Sequence, residues 1–346
     1  MKLCIVTLTN LHHLSGTAER IKNSIKAIKG ETDYYFISRV SKKDEKTTIK
    51  NIFFLPFEIL RSFVLLLKKK PTHIYAIQPE AGFCASIYKL LNRKACILYE
   101  AHSPFMAYNA LFKLFEIIAY RSSDKMIVLS KLMKLFASNH INIEPKKIEV
   151  IYGPIDLKKI KYTLPVSKSI LRICYAGSSY KYHGIEIMLE AAKICLQKGI
   201  KAEFYFIGLN NTGKYLNYQS EDIKIFGKLD EKKFMEILSS CDIFLSIYTG
   251  HFSITYPQKI STYLALGRPI ISTKTADLEQ IFLENKCGII IDAETETLAN
   301  AIATFSNMSY KSRVEMGKNA RKFAEQNLSL DKIGGKLLKL LTQNCE

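Results

Sequence analysis

The chain has 346 residues, 48% of them hydrophobic, and a formal net charge of +18 at pH 7. This length allows two domains that each bury a core, and no apolar run approaches the roughly 18–20 residues of a membrane-spanning helix. Eight scattered cysteines without a CxxC pair indicate reduced, buried thiols rather than a zinc site or a disulfide framework.

The N-terminal half begins as a doubly wound α/β domain does. The apolar strand Leu3–Leu8 is too short for a signal peptide, so we expect a cytoplasmic protein. It is followed by a polar loop, Thr9–Thr17, and a helical pattern. Gly16 lies in this first strand–helix turn, where such domains hold a ligand cleft. Further strands are predicted at Asp33–Ile37, His73–Ile77, Ala95–Tyr99 and Lys125–Leu129.

Positive charge is concentrated in this half. Residues 1–160 contain 26 Lys and Arg against 13 Asp and Glu and so carry +13 of the +18. They hold no recognisable nucleic-acid-binding motif, and we expect no nucleic-acid partner. Two amphipathic segments, Phe57–Lys70 and Phe105–Tyr120, fit either helices that cover a sheet or a surface that dips into an anionic membrane. On the second interpretation the protein is peripheral on the inner face of the cell membrane.

A polar, lysine-rich stretch, Leu157–Ser169, separates the halves, and the second half opens again with strand, loop and helix. The strand Arg172–Ala176 leads into the loop GSSYKYHG, in which Gly177 and Gly184 let backbone amides approach a phosphate. Lys181 adds a cation to the same loop. Later strands are predicted at Phe204–Gly208, Ile223–Gly227 and Asp242–Ile247.

The stretch Tyr248–Thr273, YTGHFSITYPQKISTYLALGRPIIST, joins two apolar strands through a polar loop and a short helix. Pro257 suits the first helical position and Gly267 suits the helix end. Lys259 then lies in the first turn, where a cation opposes the helix dipole by roughly 0.3–1 kcal/mol. A phosphate bound there would reverse that effect, because the free N–H groups and the lysine would point at the same charge.

This stretch resembles a signature of the family 4 glycosyltransferases, which are retaining enzymes of the GT-B architecture. The resemblance covers nearly the whole chain and implies an α/β fold with two Rossmann-like doubly wound domains facing across a cleft. It implies an acceptor-side domain over residues 1–157, a linker over 158–169 and a donor-binding domain over 170–328. A C-terminal helix, residues 329–346, is expected to cross back and pack on the first domain.

The resemblance also implies the chemistry. It implies transfer of a sugar from a nucleotide-diphosphate sugar to a glycan or lipid-linked acceptor at the cytoplasmic membrane face. No metal and no other cofactor is expected. The catalytic candidates are His102, which follows a strand within YEAHSP, together with Lys259 and Lys181. The donor-binding candidates are Gly16, Gly177, Ser178, His183, Gly184, Gly227, Lys228, Leu229, Ile254, Thr255, Tyr256, Thr262 and Glu279.

The chain departs from the family pattern at a pair of glutamates eight residues apart, where it has Ile254 and Thr262. A threonine loses a charge-assisted contact to the donor worth roughly 1.5–3 kcal/mol. Ser178 and His183 likewise stand where the family usually presents basic residues, and Lys181 can replace the lost charge. Two alternatives therefore stay open. One is a non-catalytic homologue or partner subunit, and the other is a nucleotide-sugar 2-epimerase, for which no acid–base carboxylate pair is evident.

Overall fold

The computed structural model describes residues 1–11, 15–29, 32–39, 50–103, 109–165, 170–250 and 254–342, with the side chains of 50–53 excepted. The chain divides into two compact units. The first comprises residues 1–154 and 328–346, and the second comprises residues 155–327. The division between them therefore falls a few residues before the stretch that the sequence suggested as a linker.

The first unit is built on a six-stranded sheet in the order β2-β1-β3-β4-β5-β6, with every neighbouring pair parallel. Its strands are β1 (Leu3–Thr7), β2 (Tyr34–Ser38), β3 (His73–Ile77), β4 (Cys96–Glu100), β5 (Lys125–Val128) and β6 (Ile148–Val150). Its helices are α1 (Gly16–Ile28), α2 (Lys50–Lys69), α3 (Pro79–Leu91), α4 (Ala110–Ser122), α5 (Lys131–Ile141) and the last helix of the chain, α12 (Leu330–Thr342).

The last helix completes the core of this first unit. Ile333, Leu337 and Leu341 are buried in the same cluster as the β1 residues Leu3 and Ile5. The helix packs against α1, as a C-terminal helix returning to the first domain would. This packing explains why a helix at the end of the sequence belongs to the first unit.

The second unit has a parallel six-stranded sheet in the order β9-β8-β7-β10-β11-β12. Its strands are β7 (Leu171–Ala176), β8 (Ala202–Ile207), β9 (Ile223–Phe226), β10 (Ile243–Ser246), β11 (Ile270–Thr273) and β12 (Gly288–Ile291). Its helices are α6 (Ile185–Gln197), α7 (Glu231–Ser240), α8 (Gln258–Leu266), α9 (Leu278–Asn285), α10 (Thr295–Asn307) and α11 (Tyr310–Asn327). In chain order this sheet reads 3-2-1-4-5-6, the doubly wound arrangement of dinucleotide-binding domains.

The described part of the stretch predicted as a linker packs on the second unit. Ile160 is 6% exposed, and the backbone oxygen of Thr163 accepts a hydrogen bond from Arg268 Nη1 at 2.7 Å. The backbone oxygen of Pro165 accepts another from the Tyr310 hydroxyl at 2.5 Å. These contacts fix residues 160–165 to the second unit, while residues 166–169 lie outside the described part of the chain.

Two further expectations can be compared with the structure. The buried free thiols are Cys4, Cys84, Cys174, Cys195, Cys241 and Cys287. These six agree with the expectation of buried, reduced thiols. Among the described residues, no helix combines the length and the apolar character that crossing a bilayer requires.

Candidate functional site

The candidate site of the second unit lies where its strand order reverses, between β7 and β10. In open parallel sheets, ligands bind beyond the carboxyl ends of the strands at this switch point. The loop after β7 and the loop after β10 meet here, since Thr249 N donates a hydrogen bond to the backbone oxygen of Tyr182 at 2.9 Å. The two loops that carry the predicted phosphate-binding residues therefore form one surface.

Helix α8 presents Lys259 to this switch point. Its N-cap is Pro257, so the helix begins at Gln258, one residue later than predicted. It ends at Gly267, which adopts a left-handed conformation with φ 67° and ψ 52°, as predicted for a helix-ending glycine. Ile260 faces the core and is fully buried, which anchors the first turn and places the neighbouring Lys259 at the carboxyl edge of the sheet.

The Lys259 ammonium is enclosed by aromatic rings. Nζ is shut off from solvent and has no hydrogen-bond partner among the described residues. It lies 4.1 Å from the centroid of the Tyr175 ring and 5.1 Å from that of Tyr248. Ring faces attract a cation but do not replace the hydrogen bonds of water. Burial accordingly lowers the pKa of Lys259 from 10.5 to about 7.

Gly177 and Gly184 are required by close approaches in the same place. A Cβ at Gly177 would lie 2.8 Å from the Tyr175 hydroxyl and 2.9 Å from Lys259 Nζ. A Cβ at Gly184 would lie 2.6 Å from Ile247 Cγ2, and its φ of 55° is left-handed. Gly184 is also the N-cap of α6. A side chain at position 177 would therefore displace the Tyr175 hydroxyl or the Lys259 ammonium, and the left-handed backbone at position 184 favours glycine where the loop opens onto a helix N-terminus.

His183 and Ser178 brace this loop from within. His183 Nδ1 lies 2.6 Å from the backbone oxygen of Ser178, so this nitrogen must carry the hydrogen and donate. The Tyr175 hydroxyl donates to the same oxygen at 2.7 Å. Burial, and after it the charge of Lys259, lowers the pKa of His183 to about 3. The imidazole is thus neutral and does not repel the neighbouring ammonium.

The tyrosines around Lys259 were not identified from the sequence. Tyr182 and Tyr248 hold the His183 ring edge-on, with centroids 4.5 and 4.9 Å away. Tyr180 stacks on Tyr182 at 5.7 Å. A signal was present, because two of these tyrosines alternate with Lys181 and His183 in the loop YKYH. Without the strand order, nothing in the sequence brings Tyr248 beside them.

Lys181 lines a neighbouring depression whose lining residues do not include Lys259. The depression has a volume of about 480 Å³ and is also lined by Ser179, Gly184, Glu186 and Lys214. Lys214 is paired with Glu186 at 2.5 Å, and Lys181 itself is exposed. The cation predicted to replace the family's missing charge therefore lies in the right loop but in a solvated position.

The remaining donor-binding candidates occupy three settings. Tyr256, just before α8, is 2% exposed, and Thr262, on α8, is 9% exposed. Ile254 and Thr255 are half-buried. Glu279 is exposed in the first turn of α9, and its carboxylate pairs with Lys274 at 2.6 Å. Residues 251–253 of the loop before α8, part of the predicted phosphate loop, lie outside the described residues.

The donor-binding candidates Gly227, Lys228 and Leu229, which the family resemblance places beside the nucleobase, directly follow β9. The backbone oxygen of Gly227 accepts a hydrogen bond from Gly208 N at 3.1 Å, which ties the turn after β9 to the turn after β8. Lys228 is exposed and Leu229 is half-buried. These turns flank the carboxyl ends of β8 and β9, which are two and three strands from β10 in the sheet.

In the first unit, the candidate residue Gly16 is exposed to solvent, whereas the candidate residue His102 is buried. Gly16 is exposed as the first residue of α1, whose N-cap Ser15 accepts a hydrogen bond from Ala18 N at 3.2 Å. His102 is only 3% exposed, and its Nε2 lies 2.6 Å from Glu100 Oε1. Glu100, two residues away in the same YEAHSP run, was missed at the sequence level.

Comparison with known proteins identifies the family. A family model described as Glycosyltransferase Family 4 matches residues 38–159. A second model, described as Glycosyl transferases group 1, matches residues 171–307, so the two together cover most of the chain. The chain belongs to the family 4 glycosyltransferases.

One curated relative and two solved structures illustrate the likeness. An uncharacterized glycosyltransferase of Methanocaldococcus jannaschii is 22% identical over 229 residues, which are 62% of this chain and 57% of that protein. The aligned part thus spans little more than half the length of this relative.

Sucrose-phosphate synthase from Thermosynechococcus elongatus has a TM-score of 0.78 and 13% identity, covering 99% of this chain and 98% of its own. Anabaena HepE in complex with UDP-glucose has a TM-score of 0.77 and 14% identity, covering 99% and 100%. At such identities the likeness concerns the fold. The prediction of a GT-B fold with two Rossmann-like domains is confirmed.

Proposed function

We propose that this family member is a retaining, metal-independent glycosyltransferase that moves a sugar from a nucleotide-diphosphate sugar to a glycan or lipid-linked acceptor. One observation carries the proposal. The Lys259 ammonium is buried at the switch point of the second sheet, beside a helix N-terminus, with no hydrogen-bond partner among the described residues. A diphosphate would supply the oxygen acceptors that this group lacks.

The chemistry of such a transfer fits this arrangement. The developing negative charge sits on the leaving diphosphate, and its stabilisation by fixed cations and backbone amides is the main catalytic requirement. Lys259 is already desolvated, so it needs no reorganisation when charge develops. The N-termini of α6 and α8 add oriented N–H groups from the two loops of the same switch point. No step in this scheme needs a side-chain nucleophile.

A second candidate function is a nucleotide-binding homologue that performs no transfer. It is favoured by Ile254 and Thr262, which replace the two family glutamates. Thr262 is 9% exposed on the buried side of α8 and brings no charge. The one nearby carboxylate that the sequence offered, Glu279, is paired with Lys274 in solvent. Binding without turnover would be the expected behaviour of this alternative.

The membrane part of the proposal is supported by the outer face of the first unit. On α2, Phe54, Phe57 and Leu60 are 58%, 61% and 61% exposed. The lysines Lys68–Lys70 follow at the end of the helix. An exposed apolar stripe beside a cluster of lysines suits a surface that carries anionic lipid. We take this to be where a lipid-linked acceptor is met.

The test of the nucleotide site uses UDP, the nucleotide part of the ligand in the HepE complex. A ligand at 100 times its dissociation constant stabilises the protein by about 2.7 kcal/mol, so UDP should raise the unfolding temperature. Lys259→Ala should weaken UDP binding about 10- to 100-fold, since a lost charge-assisted contact costs roughly 1.5–3 kcal/mol. The matched control is Lys201→Ala, an exposed lysine just before the amino end of β8.

Equal UDP affinity in the Lys259→Ala and Lys201→Ala proteins would overturn the phosphate assignment. If UDP gives no protection to the wild type, other nucleoside diphosphates are tested in the same way before the site is rejected. Hydrolysis of the matching nucleotide sugar then separates the two candidate functions. A slow, Lys259-dependent release of nucleoside diphosphate supports the transferase, and tight binding without release supports the non-catalytic homologue.

A further inference from the structure

A buried set of charged side chains lies beneath the carboxyl ends of β3 and β4 in the first unit. Glu100, the last residue of β4, accepts a hydrogen bond from Arg20 Nε at 2.7 Å and lies 2.6 Å from His102 Nε2. The Tyr75 hydroxyl donates to its second oxygen. Arg20 Nη2 also donates to the backbone oxygen of Ile151 at 2.9 Å. All four side chains are at most 3% exposed.

The charges in this cluster determine where the histidine hydrogen is. Burial alone would raise the pKa of Glu100, but Arg20 and His102 hold it well below its usual range, so the group is a carboxylate. A carboxylate only accepts hydrogen bonds, and therefore His102 Nε2 must donate. Burial lowers the pKa of His102, with Glu100 opposing, so the ring is neutral at pH 7. A neutral ring with hydrogen on Nε2 has none on Nδ1.

Two atoms of the cluster are left unsatisfied. His102 Nδ1 is a buried acceptor and Arg20 Nη1 is a buried donor, and neither has a partner among the described residues. Buried polar atoms are almost always paired, because an unpaired one keeps the full cost of its desolvation. A cluster that served packing alone would have no reason to leave one acceptor and one donor free. A hydroxyl group is a suitable partner for the histidine nitrogen, since its hydrogen can be donated to Nδ1.

We propose that Glu100 is a positioning residue, which fixes His102 as the Nε2–H tautomer and so leaves Nδ1 free to accept a hydrogen bond from a hydroxyl of the acceptor. The inference rests on the proposed function, because it assigns the acceptor to this histidine. Arg20 and Tyr75 act on His102 only indirectly, because their hydrogen bonds hold the Glu100 carboxylate in place. Because Nε2 faces Glu100, Nδ1 is the ring nitrogen left for a substrate hydroxyl, and it can accept only when it carries no hydrogen.

The tautomer can be measured directly by two-bond ¹H–¹⁵N correlation spectra of the full chain labelled with ¹⁵N-histidine, with the His102 signals assigned by their loss in His102→Asn. The wild type should show His102 as a neutral ring protonated on Nε2 at pH 7. In Glu100→Gln the amide can donate to Nε2, so the hydrogen should move to Nδ1. Tyr75→Phe is the matched control, because it keeps the carboxylate and should keep the tautomer.

Wild-type His102 protonated on Nδ1, or a doubly protonated ring at pH 7, would overturn the proposal even if Glu100→Gln failed to fold. So would an unchanged tautomer in a folded Glu100→Gln protein. The second measurement is the steady-state rate at which the protein hydrolyses the nucleotide sugar found above. In that reaction water takes the place of the acceptor. Glu100→Gln should lower kcat at least about tenfold with an unchanged KM for the donor, and Tyr75→Phe should keep most of the rate.

The spectra need no turnover, so the two proposals fail separately. The expected tautomer in a protein without hydrolysis would count against the proposed function and leave standing only the control of the His102 tautomer by Glu100. Hydrolysis with equal kcat in the wild type and Glu100→Gln would remove the positioning role and leave the transferase standing.

Discussion

Lys259 is the residue at which folding and ligand binding make opposite demands. Burial lowers its pKa to about 7 in the unliganded protein, whereas the unfolded chain keeps a lysine pKa near 10.4. Between these two values the unfolded state binds more protons than the folded state. The free energy of unfolding must then rise with pH from about 7 to about 10, and this lysine destabilises the protein below that range.

We therefore predict that Lys259→Met stabilises the unliganded protein at pH 7 by a few kcal/mol, because each pKa unit of the shift corresponds to about 1.4 kcal/mol. Methionine keeps a similar length and has no charge to desolvate. The measurement is urea denaturation at pH 7 and pH 9, in which the wild type should gain stability at the higher pH relative to the variant. A variant that is less stable than the wild type at pH 7 would contradict the burial of a charged Nζ.

The position of Lys259 could be predicted from the sequence, but the side chains that surround it could not. A lysine in the first turn of a helix that follows a proline can be identified from local pattern alone. The ring of Tyr175 comes from β7 and that of Tyr248 from the loop after β10, and only the pairing of β7 with β10 brings them together. Glu100 was missed for another reason, since its contact with His102 depends on both side chains turning inward at the end of β4.

At the scale of the element, helix ends were predicted well when the capping residue was local. Gly267 was expected to end α8 and does so with φ 67°. The next residue, Arg268, was assigned no role, yet it is 1% exposed and donates to the backbone oxygens of Cys241 and Thr163. These acceptors are distant in sequence, so the arginine that joins α8 to its surroundings could not be recognised from the pattern.

Two adjacent glycines of α12 allow a matched test of how the last helix packs. A Cβ at Gly334 would lie 2.3 Å from the backbone oxygen of Ala27 in α1, whereas a Cβ at Gly335 would meet nothing within 4 Å. We predict that Gly334→Ala destabilises the protein by about 1–3 kcal/mol, since backbone must move. Gly335→Ala should stabilise it by roughly 0.5–1 kcal/mol through helix propensity. Both are measured by urea denaturation, and equal effects would contradict the close packing of α12 on α1.

At the scale of the whole molecule, the alternation of strand and helix patterns was enough to predict two doubly wound sheets, but it did not give their strand orders. The first sheet reads 2-1-3-4-5-6 in chain order and the second reads 3-2-1-4-5-6. The order is set by which strands pair over long sequence separations. The ligand-binding edge of each sheet follows from that order, so the sites could be named by loop but not assembled.

The uneven charge of the molecule leads to the last prediction. The first 160 residues carry +13 of the +18, and their outer face adds apolar contacts to the charge. Tyr35 on the edge strand β2 is 40% exposed, with Lys69 Nζ lying 4.6 Å from its ring centroid. The ring thus continues the surface of α2 onto the sheet edge. The second predicted segment, Phe105–Tyr120, is described only from residue 109.

We predict that the protein co-sediments with anionic liposomes at low salt and ignores neutral ones, because each lysine near such a surface contributes roughly 1 kcal/mol. Binding should be lost near 1 M salt, where the Debye length falls from about 10 Å to about 3 Å. Reversing the charge of Lys68, Lys69 and Lys70 to glutamate should reduce binding strongly. The same reversal at the exposed Lys201, Lys232 and Lys233 of the second unit should not. Equal binding by both triple variants would mean that net charge, and not the α2 face, attracts the membrane.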